Sequence, residues 1–407
     1  MKSSIHAPPL PSRSTELVPT HAPRVGIVAD LREERWYSMD LVAEMLVTEL
    51  AAFGGVQPAL LRPSLRRRMT RLPFTRGRSS PDMIDRVINR FVDYPAWLER
   101  RASQFELFHI VDHSYAHLAE RLPRGRTVVT CHDVDALRPL LGSSRSPRGR
   151  LLASIARRVG DGLAAATRVI CDSAATRDAL LEFGIVAPAR IDVIWLGAHP
   201  VFSPAPDDAA DADLDRHLPA VGHGTNPLDL LHVGSTIDRK RIDTLIEILA
   251  GVRRTHPDAR LIRAGGALTH AQSVHATKLG VRDAIVDVPE LSRRTLAALY
   301  RRCAMVLLPS SAEGFGFPIV EAMASATPVI ASDLAVLREI GGDAARYEPV
   351  GDVARWTSAI LQLADERQAH PERWAARRTA CIAQATQFSW TEYARRTAAV
   401  YEKILNA

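Results

Sequence analysis

The sequence predicts an α/β protein built as two doubly wound parallel-sheet, Rossmann-like domains that face each other across a central cleft. Three observations carry that expectation. Short apolar runs recur along the chain and alternate with segments of helical periodicity, the pattern of a parallel sheet covered by helices on both faces. The alternation breaks between Pro200 and Pro227, where five Asp and five Pro fall in one weakly hydrophobic stretch, and then resumes. The length of 407 residues suits two domains, and 46% hydrophobic with 24% charged residues excludes a disordered chain.

Residues 1–23 read as a flexible leader rich in Pro, Ser and Thr, without the apolar run of a signal peptide. The first domain is expected over residues 24–200. RVGIVA (24–29) is its first strand, and a helix follows at 38–52, ended by Gly54-Gly55. Further strands fall at 56–61, 108–111, 127–131, 168–171 and 191–194, with a helix at 85–101. Residues 201–227 form the expected linker. The second domain is expected over residues 228–388, with strands at 228–233, 260–264, 284–288, 305–308 and 328–331, and helices near 241–255, 296–303 and 318–326. Residues 389–407 are expected to form a last helix. In two facing domains of this kind the ligand belongs in the cleft, at the carboxyl ends of the strands.

Cys131, Cys171, Cys303 and Cys381 are too dispersed for a disulfide framework or a metal site, which fits a reducing, cytoplasmic setting. No segment approaches the length of a membrane-spanning helix. The net charge of +6 is too mild for a histone-like polycation, so no nucleic-acid partner is expected. Only four residues are Lys, which makes Lys240 conspicuous.

Three loops carry candidate chemistry. In the first, a strand runs into Glu313-Gly314-Phe315-Gly316-Phe317 and then a helix opened by Pro318 and holding Glu321. Glycines let a ligand approach the backbone, and a helix N-terminus offers N–H groups to an anion. Two carboxylates there suit sugar or ribose hydroxyls, since each oxygen accepts hydrogen bonds. In the second, Gly234-Ser235 leads to Arg239-Lys240-Arg241 at a helix start. Three cations at the positive end of a helix dipole are unfavourable unless an anion, such as a diphosphate, joins them. The alternative is a solvated basic turn. In the third, His132-Asp133 ends a strand, which aims the histidine at the cleft or leaves it satisfied within its loop. Asp133 and Asp135 also spell D-x-D, which can hold a metal on a diphosphate, but the phosphate role already has a cationic candidate in the other domain; His113 and His117 have a helical spacing without a third ligand, so no metal site is expected.

These motifs, in this order, resemble glycosyltransferase family 4, retaining enzymes of the GT-B fold. LLPSSAEGFGFPIVEAMASATPVIASD resembles its nucleotide-sugar signature with E-x7-E at Glu313 and Glu321. HVGSTIDRKRIDTLIEIL resembles its phosphate loop, VVTCHDVDALRP its His-Asp segment, and VICDSAATRDALLEFGIVAPARIDVIWLGAHPVFSP the end of its first domain. FSWTEYARRTAAVYEKIL resembles its crossing-back helix, so the likeness covers about residues 105–405. It implies that Glu321 holds ribose, that Glu313 and the amides of Gly314, Phe315 and Gly316 meet the donor sugar, and that Arg239 and Lys240 hold the diphosphate. His132 then reaches the donor sugar, and Glu290 and Leu291 lie at the base. Phe317, Gly234 and Ser235 complete the donor set. The chain departs from many members in lacking a Gly-Gly loop after the first strand, where it has ADLREERWYSMD, and in placing Ser235 where an Arg is common.

The implied reaction is retaining transfer of a hexose, mannose or glucose, from a nucleoside diphosphate sugar to a hydroxyl acceptor in polysaccharide or glycolipid synthesis, with no cofactor and no metal. A GT-B nucleotide-sugar epimerase and a non-catalytic sugar-nucleotide-binding partner subunit are the alternatives. A nicotinamide dehydrogenase is excluded by the absence of G-x-G-x-x-G after the first strand. Residues 1–200 carry 28 basic and 21 acidic residues, and residues 201–407 carry 24 and 25. The surplus is concentrated from Arg62 to Arg78, with seven Arg and no acid, and over residues 136–160, with six more. Two solvated basic loops are one reading. A peripheral contact with an anionic or lipid-linked acceptor, or with an anionic inner membrane face, is the other.

Overall fold

The computed structural model describes residues 22–71, 79–141, 146–218 and 228–407. The first sheet holds β1 (Arg24–Val28), β2 (Gln57–Leu61), β3 (Leu107–Ile110), β4 (Thr127–Cys131), β5 (Arg168–Cys171) and β6 (Ile191–Val193), in the order β2-β1-β3-β4-β5-β6. The second holds β7 (Asp229–Val233), β8 (Arg260–Ala264), β9 (Ile285–Val288), β10 (Met305–Leu308), β11 (Val329–Ser332) and β12 (Arg346–Glu348), in the order β12-β11-β10-β7-β8-β9. Every pairing is parallel. Strands β3, β4, β10 and β11 are buried along their whole length, which is why they read as unbroken apolar runs.

Strand order reverses once in each sheet, between β1 and β3 and between β7 and β10. Loops leaving the two strands on either side of a reversal turn apart and leave a crevice at the carboxyl edge. In the first sheet those loops begin at Ala29 and Val111 and carry Asp30 and Asp112. In the second they begin at Gly234 and Pro309.

Several elements differ from expectation. The helix expected at 85–101 runs from Ser79 to Glu99, with a π-helical segment Asn89–Asp93 in its middle. The second basic stretch is largely a helix, Pro147–Ala165, not a loop: Ser146 caps its first turn and Pro147 opens it. The expected linker contains the helix Asp208–Asp215, capped by Asp207. Its carboxylates meet Arg294, Arg301 and Arg302 of the helix Arg293–Arg302, so this segment is bound to the second domain by charge where its hydrophobicity is low. The expected leader, apart from its last two residues, and the rest of the linker, 219–227, lie outside the described residues, as do Arg76, Arg78 and Arg145.

The C-terminal helix Trp390–Leu405 buries Trp390, Tyr393, Ala394, Thr397, Ala398 and Tyr401, a stripe at helical spacing. It returns to the first domain, where Thr391 donates to Glu49 of the helix Tyr37–Phe53 at 2.8 Å and Tyr401 meets His109 Nδ1 at 2.6 Å.

Candidate active site

The crevice of the second sheet brings two of the candidate loops together. Arg239 and Lys240 sit in a short 3-10 turn, Asp238–Lys240, just before the helix Ile242–Arg253. Ser311 N donates to Arg239 O at 2.8 Å and Arg239 Nη1 to Ala312 O at 3.0 Å, so the turn is tied to the loop after β10. Gly234 N donates to Ala264 O at 2.8 Å, and a Cβ on Gly265 would lie 2.4 Å from Gly234 O. Only glycine fits that approach.

Glu313 is the centre of this arrangement. Its side chain is 6% exposed. Lys240 Nζ donates to Oε1 at 2.5 Å, Ser310 Oγ to Oε1 at 2.7 Å, and Arg239 Nη1 to Oε2 at 3.0 Å. Burial works against its charge, but Lys240 and Arg239 overcome this and hold the carboxyl below its ordinary value. The crowding of cations read from the sequence is therefore relieved within the chain: Glu313 takes Arg239 and Lys240, and Asp243 takes Arg241. Eight residues on, Glu321 lies inside the helix Phe317–Ala324. It is buried and accepts from Tyr300 Oη at 2.8 Å. Burial lifts its carboxyl to about 7 against the pull of Tyr300.

Gly316 takes φ 97° to start that helix. The Phe315 and Phe317 rings pack edge to face at 5.4 Å, and Phe317 stacks on Trp390 at 6.2 Å, which anchors the glycine loop to the C-terminal helix. Glu290 and Leu291 occupy the loop between β9 and the helix Arg293–Arg302; Glu290 is exposed and Leu291 half-buried. Ser235 follows Gly234 and is exposed.

His132, at the end of β4, is buried with both ring nitrogens engaged. Nε2 donates to Val111 O at 2.7 Å and Nδ1 meets Asp172 Oδ2 at 2.9 Å. Two acceptors favour the doubly protonated ring. Burial opposes that charge, but Asp172 pushes the imidazole up to about 9. The ring thus faces its own domain, and it is the His132 carbonyl that meets the other one. A Cβ on Gly314 would lie 1.9 Å from His132 O. Ser173 Oγ donates to Gly314 O at 2.8 Å, as does Thr176 Oγ1 at 3.1 Å. Nearby, Glu339 of the second domain accepts from Ala174 N at 2.8 Å and Trp195 Nε1 at 2.8 Å, closing the N-terminus of the helix Ala174–Glu182. Ser173, Thr176 and Glu339 were not read from the sequence, because their only signal is contact across more than a hundred residues.

Between the domains lies a cleft lined by Asp133, Asp135, Arg138, Thr176, Ala312 and Glu313. Arg239 Nε lies 3.6 Å from Asp135 across it. His113 and His117 diverge: His113 sits between Asp112 and Asp133, while His117 Nε2 lies 3.1 Å from Arg90 O. Among the described residues no three His, Cys, Asp or Glu gather as metal ligands.

Residues 40–202 match the family described as Glycosyltransferase Family 4, and residues 215–380 match Glycosyl transferases group 1. The D-inositol 3-phosphate glycosyltransferase of Segniliparus rotundus is 31% identical over 61% of this chain and 55% of its own. The MMP alpha-(1->4)-mannosyltransferase of Mycolicibacterium hassiacum is 31% identical over 57% of this chain and 53% of its own. The chain spans about half the length of these curated relatives. Among solved structures, sucrose-phosphate synthase from Thermosynechococcus elongatus superposes with a TM-score of 0.70 at 18% identity, covering 94% of this chain and 99% of the other. Anabaena HepE in complex with UDP-glucose gives 0.67 at 17%, covering 94% and 100%. At these identities the likeness establishes a shared GT-B fold.

Proposed function

The chain belongs to glycosyltransferase family 4, and from that premise we propose that it moves a hexose from a nucleoside diphosphate sugar to a hydroxyl acceptor with retention at the anomeric carbon. The observation that carries the reading is the convergence of Arg239, Lys240 and Glu313 at the second switch point, with Glu321 behind them. The bond from the anomeric carbon to the diphosphate oxygen breaks, the bond to the acceptor oxygen forms on the same face, and the acceptor proton leaves with the diphosphate. Arg239 and Lys240 stabilise the charge that grows on the leaving oxygen. Glu313, fixed by those cations and Ser310, takes donor-sugar hydroxyls. Glu321 takes the ribose hydroxyls, and the amides from Gly314 to Phe317 line the sugar. Gly234, Ser235, Glu290 and Leu291 complete the donor side. His132 acts through its backbone and its fixed charge, because its ring nitrogens are already committed. Relatives named for inositol phosphate and mannosyl transfer, and a neighbour solved with UDP-glucose, support the class of donor and acceptor.

A thermal-shift screen of UDP- and GDP-hexoses, followed by labelled transfer to myo-inositol 3-phosphate and to lipid-linked acceptors, tests this. Stabilisation by one donor and transfer with retained configuration are expected. An epimerised free sugar, or no response to any donor, overturns it.

No described helix is long and apolar enough to cross a membrane. Peripheral contact with an anionic membrane remains part of the proposal, with a shifted basis. Arg62, Arg66 and Arg68 are paired with Asp40 and Asp93, so they offer less charge than the sequence suggests. Exposed Leu151, within the basic helix Pro147–Ala165, and exposed Leu141 before it offer an apolar contact beside basic residues. Flotation with anionic vesicles that is lost in high salt is expected; no flotation removes it.

A further inference from the structure

The first sheet has its own switch point, and its crevice is acidic. Asp30, after β1, is 3% exposed, and neither of its oxygens has a hydrogen-bond donor among the described residues. It faces Asp112, after β3. Burial and then the Asp112 charge drive the Asp30 carboxyl well above its ordinary value. Asp112 is held by Ser114, which donates from N at 2.8 Å and from Oγ at 2.5 Å. Asp112 Oδ1 lies 3.3 Å from His113 Nδ1, and His113 Nε2 lies 3.4 Å from Asp133 Oδ1. Asp133, after β4, also accepts from Asp135 N at 3.0 Å through the same oxygen. Burial opposes its charge, but His113 and that N–H hold its carboxyl well below the ordinary value. Its side chain is 29% exposed and lines the cleft together with Glu313.

We propose that Asp133 receives the hydroxyl group of the acceptor, positioned by His113 and by the Asp112–Asp30 pair behind it, and that the acceptor presents a polyol rather than an anion at this point of the cleft. The inference rests on the glycosyl-transfer reading above and deepens it. With Oδ1 committed to His113 and Asp135 N, the lone pairs of Oδ2 remain for a hydroxyl donor. The ionised Asp133 accepts from a hydroxyl and repels an anionic oxygen brought into direct contact, while Asp135 beside it is already paired with Arg138 at 2.7 Å. His113 is a positioning residue, since its Nδ1 accepts from His132 N at 3.4 Å beside Asp112 and its Nε2 faces Asp133, so neither nitrogen is left for substrate.

The test uses the full chain, its best-stabilising hexose donor, and myo-inositol and myo-inositol 3-phosphate as acceptor probes. Two rates are read: hydrolysis of donor to free sugar, and transfer. Asp133→Asn keeps the thermal shift produced by the donor and keeps hydrolysis within about twofold, while transfer falls at least tenfold. His113→Leu raises the acceptor KM and lowers transfer, and His113→Gln, which keeps an N–H toward Asp133, recovers most of it. Transfer by Asp133→Asn at the wild-type rate overturns the proposal, as does a parallel loss of hydrolysis and donor binding. Hydrolysis by the wild type without transfer to any polyol overturns the acceptor class. A wild type that neither hydrolyses nor transfers overturns the underlying reading and this inference with it.

Discussion

The two switch points share a topology and carry opposite chemistry. At β7 and β10 a buried carboxylate, Glu313, is ringed by Lys240, Arg239 and Ser310. At β1 and β3 two buried carboxyls, Asp30 and Asp112, face each other with the His113 and His132 imidazoles beside them. The first arrangement gathers cations around one carboxylate, and the second gathers carboxyls around imidazoles. A parallel sheet whose strand order reverses supplies the crevice, and the loop sequences alone decide which ligand chemistry it serves.

The comparison breaks most easily at Lys240. Lys240→Ala removes a cation from the side where leaving-group charge develops and leaves Glu313 with Arg239 and Ser310. A loss of turnover of ~10²-fold or more is expected with the fold intact, the size seen on removing one preorganised charge-stabilising group. Steady-state kinetics with circular dichroism checks it. Turnover near wild type would mean that the basic crevice is not where the donor reacts.

The next test concerns the seam between the two crevices. A methyl group at Gly314 meets His132 O at 1.9 Å and Asp133 Cβ at 3.1 Å, so Gly314→Ala must push the domains apart or displace the loop. Overpacking of this kind typically costs about 1–3 kcal/mol, and a melting temperature lower by several degrees is expected together with a fall in transfer of about tenfold. Glu339→Gln is the milder comparator. It keeps the shape but weakens the charge-assisted bonds to Ala174 N and Trp195 Nε1, with an expected loss near 1 kcal/mol. A Gly314→Ala protein with unchanged melting and kinetics would show that the seam opens freely.

Much of this architecture is legible in the sequence because buried parallel strands leave a plain record. TVVTC, RVIC, RLIRA and MVLL coincide with β4, β5, β8 and β10. The short edge strand Arg346–Glu348 leaves none, being polar and half-buried. The helix Asp208–Asp215 is hidden by its acids, although Ala210 and Leu214 are buried one turn apart. At the site, each candidate loop was legible by its residue types at a strand end. What those loops do to one another was not. Nothing local in Arg239-Lys240 announces Glu313 as its partner, and nothing near His132 announces that Val111 O and Asp172 occupy both its nitrogens. Asp112-His113 and His132-Asp133 stood in the sequence as two unrelated dipeptides, and only the pairing of β3 with β4 sets His113 against Asp133.

Burial lifts the Glu321 carboxyl to about 7, well above an ordinary glutamate. An acid with a raised folded value binds its proton more tightly in the native chain than in the unfolded one. Its contribution to stability is therefore full below the ordinary value and is lost as pH rises toward about 7. Ribose hydroxyls donate, so they favour the ionised form, and donor binding should release a proton. Affinity for an intact nucleoside diphosphate sugar, whose diphosphate stays ionised throughout, should tighten as pH rises from 6 to 7 and level off above. A gain of up to about tenfold is the limit for one proton over one unit. Glu313 is held low and His132 is pushed up to about 9, so neither accounts for a transition there. Calorimetric titration in buffers of different ionisation enthalpy measures both the affinity and the proton, and Glu321→Gln should abolish the slope. A flat wild-type profile would remove Glu321 from the ribose and leave the cationic crevice as the whole of the donor's recognition.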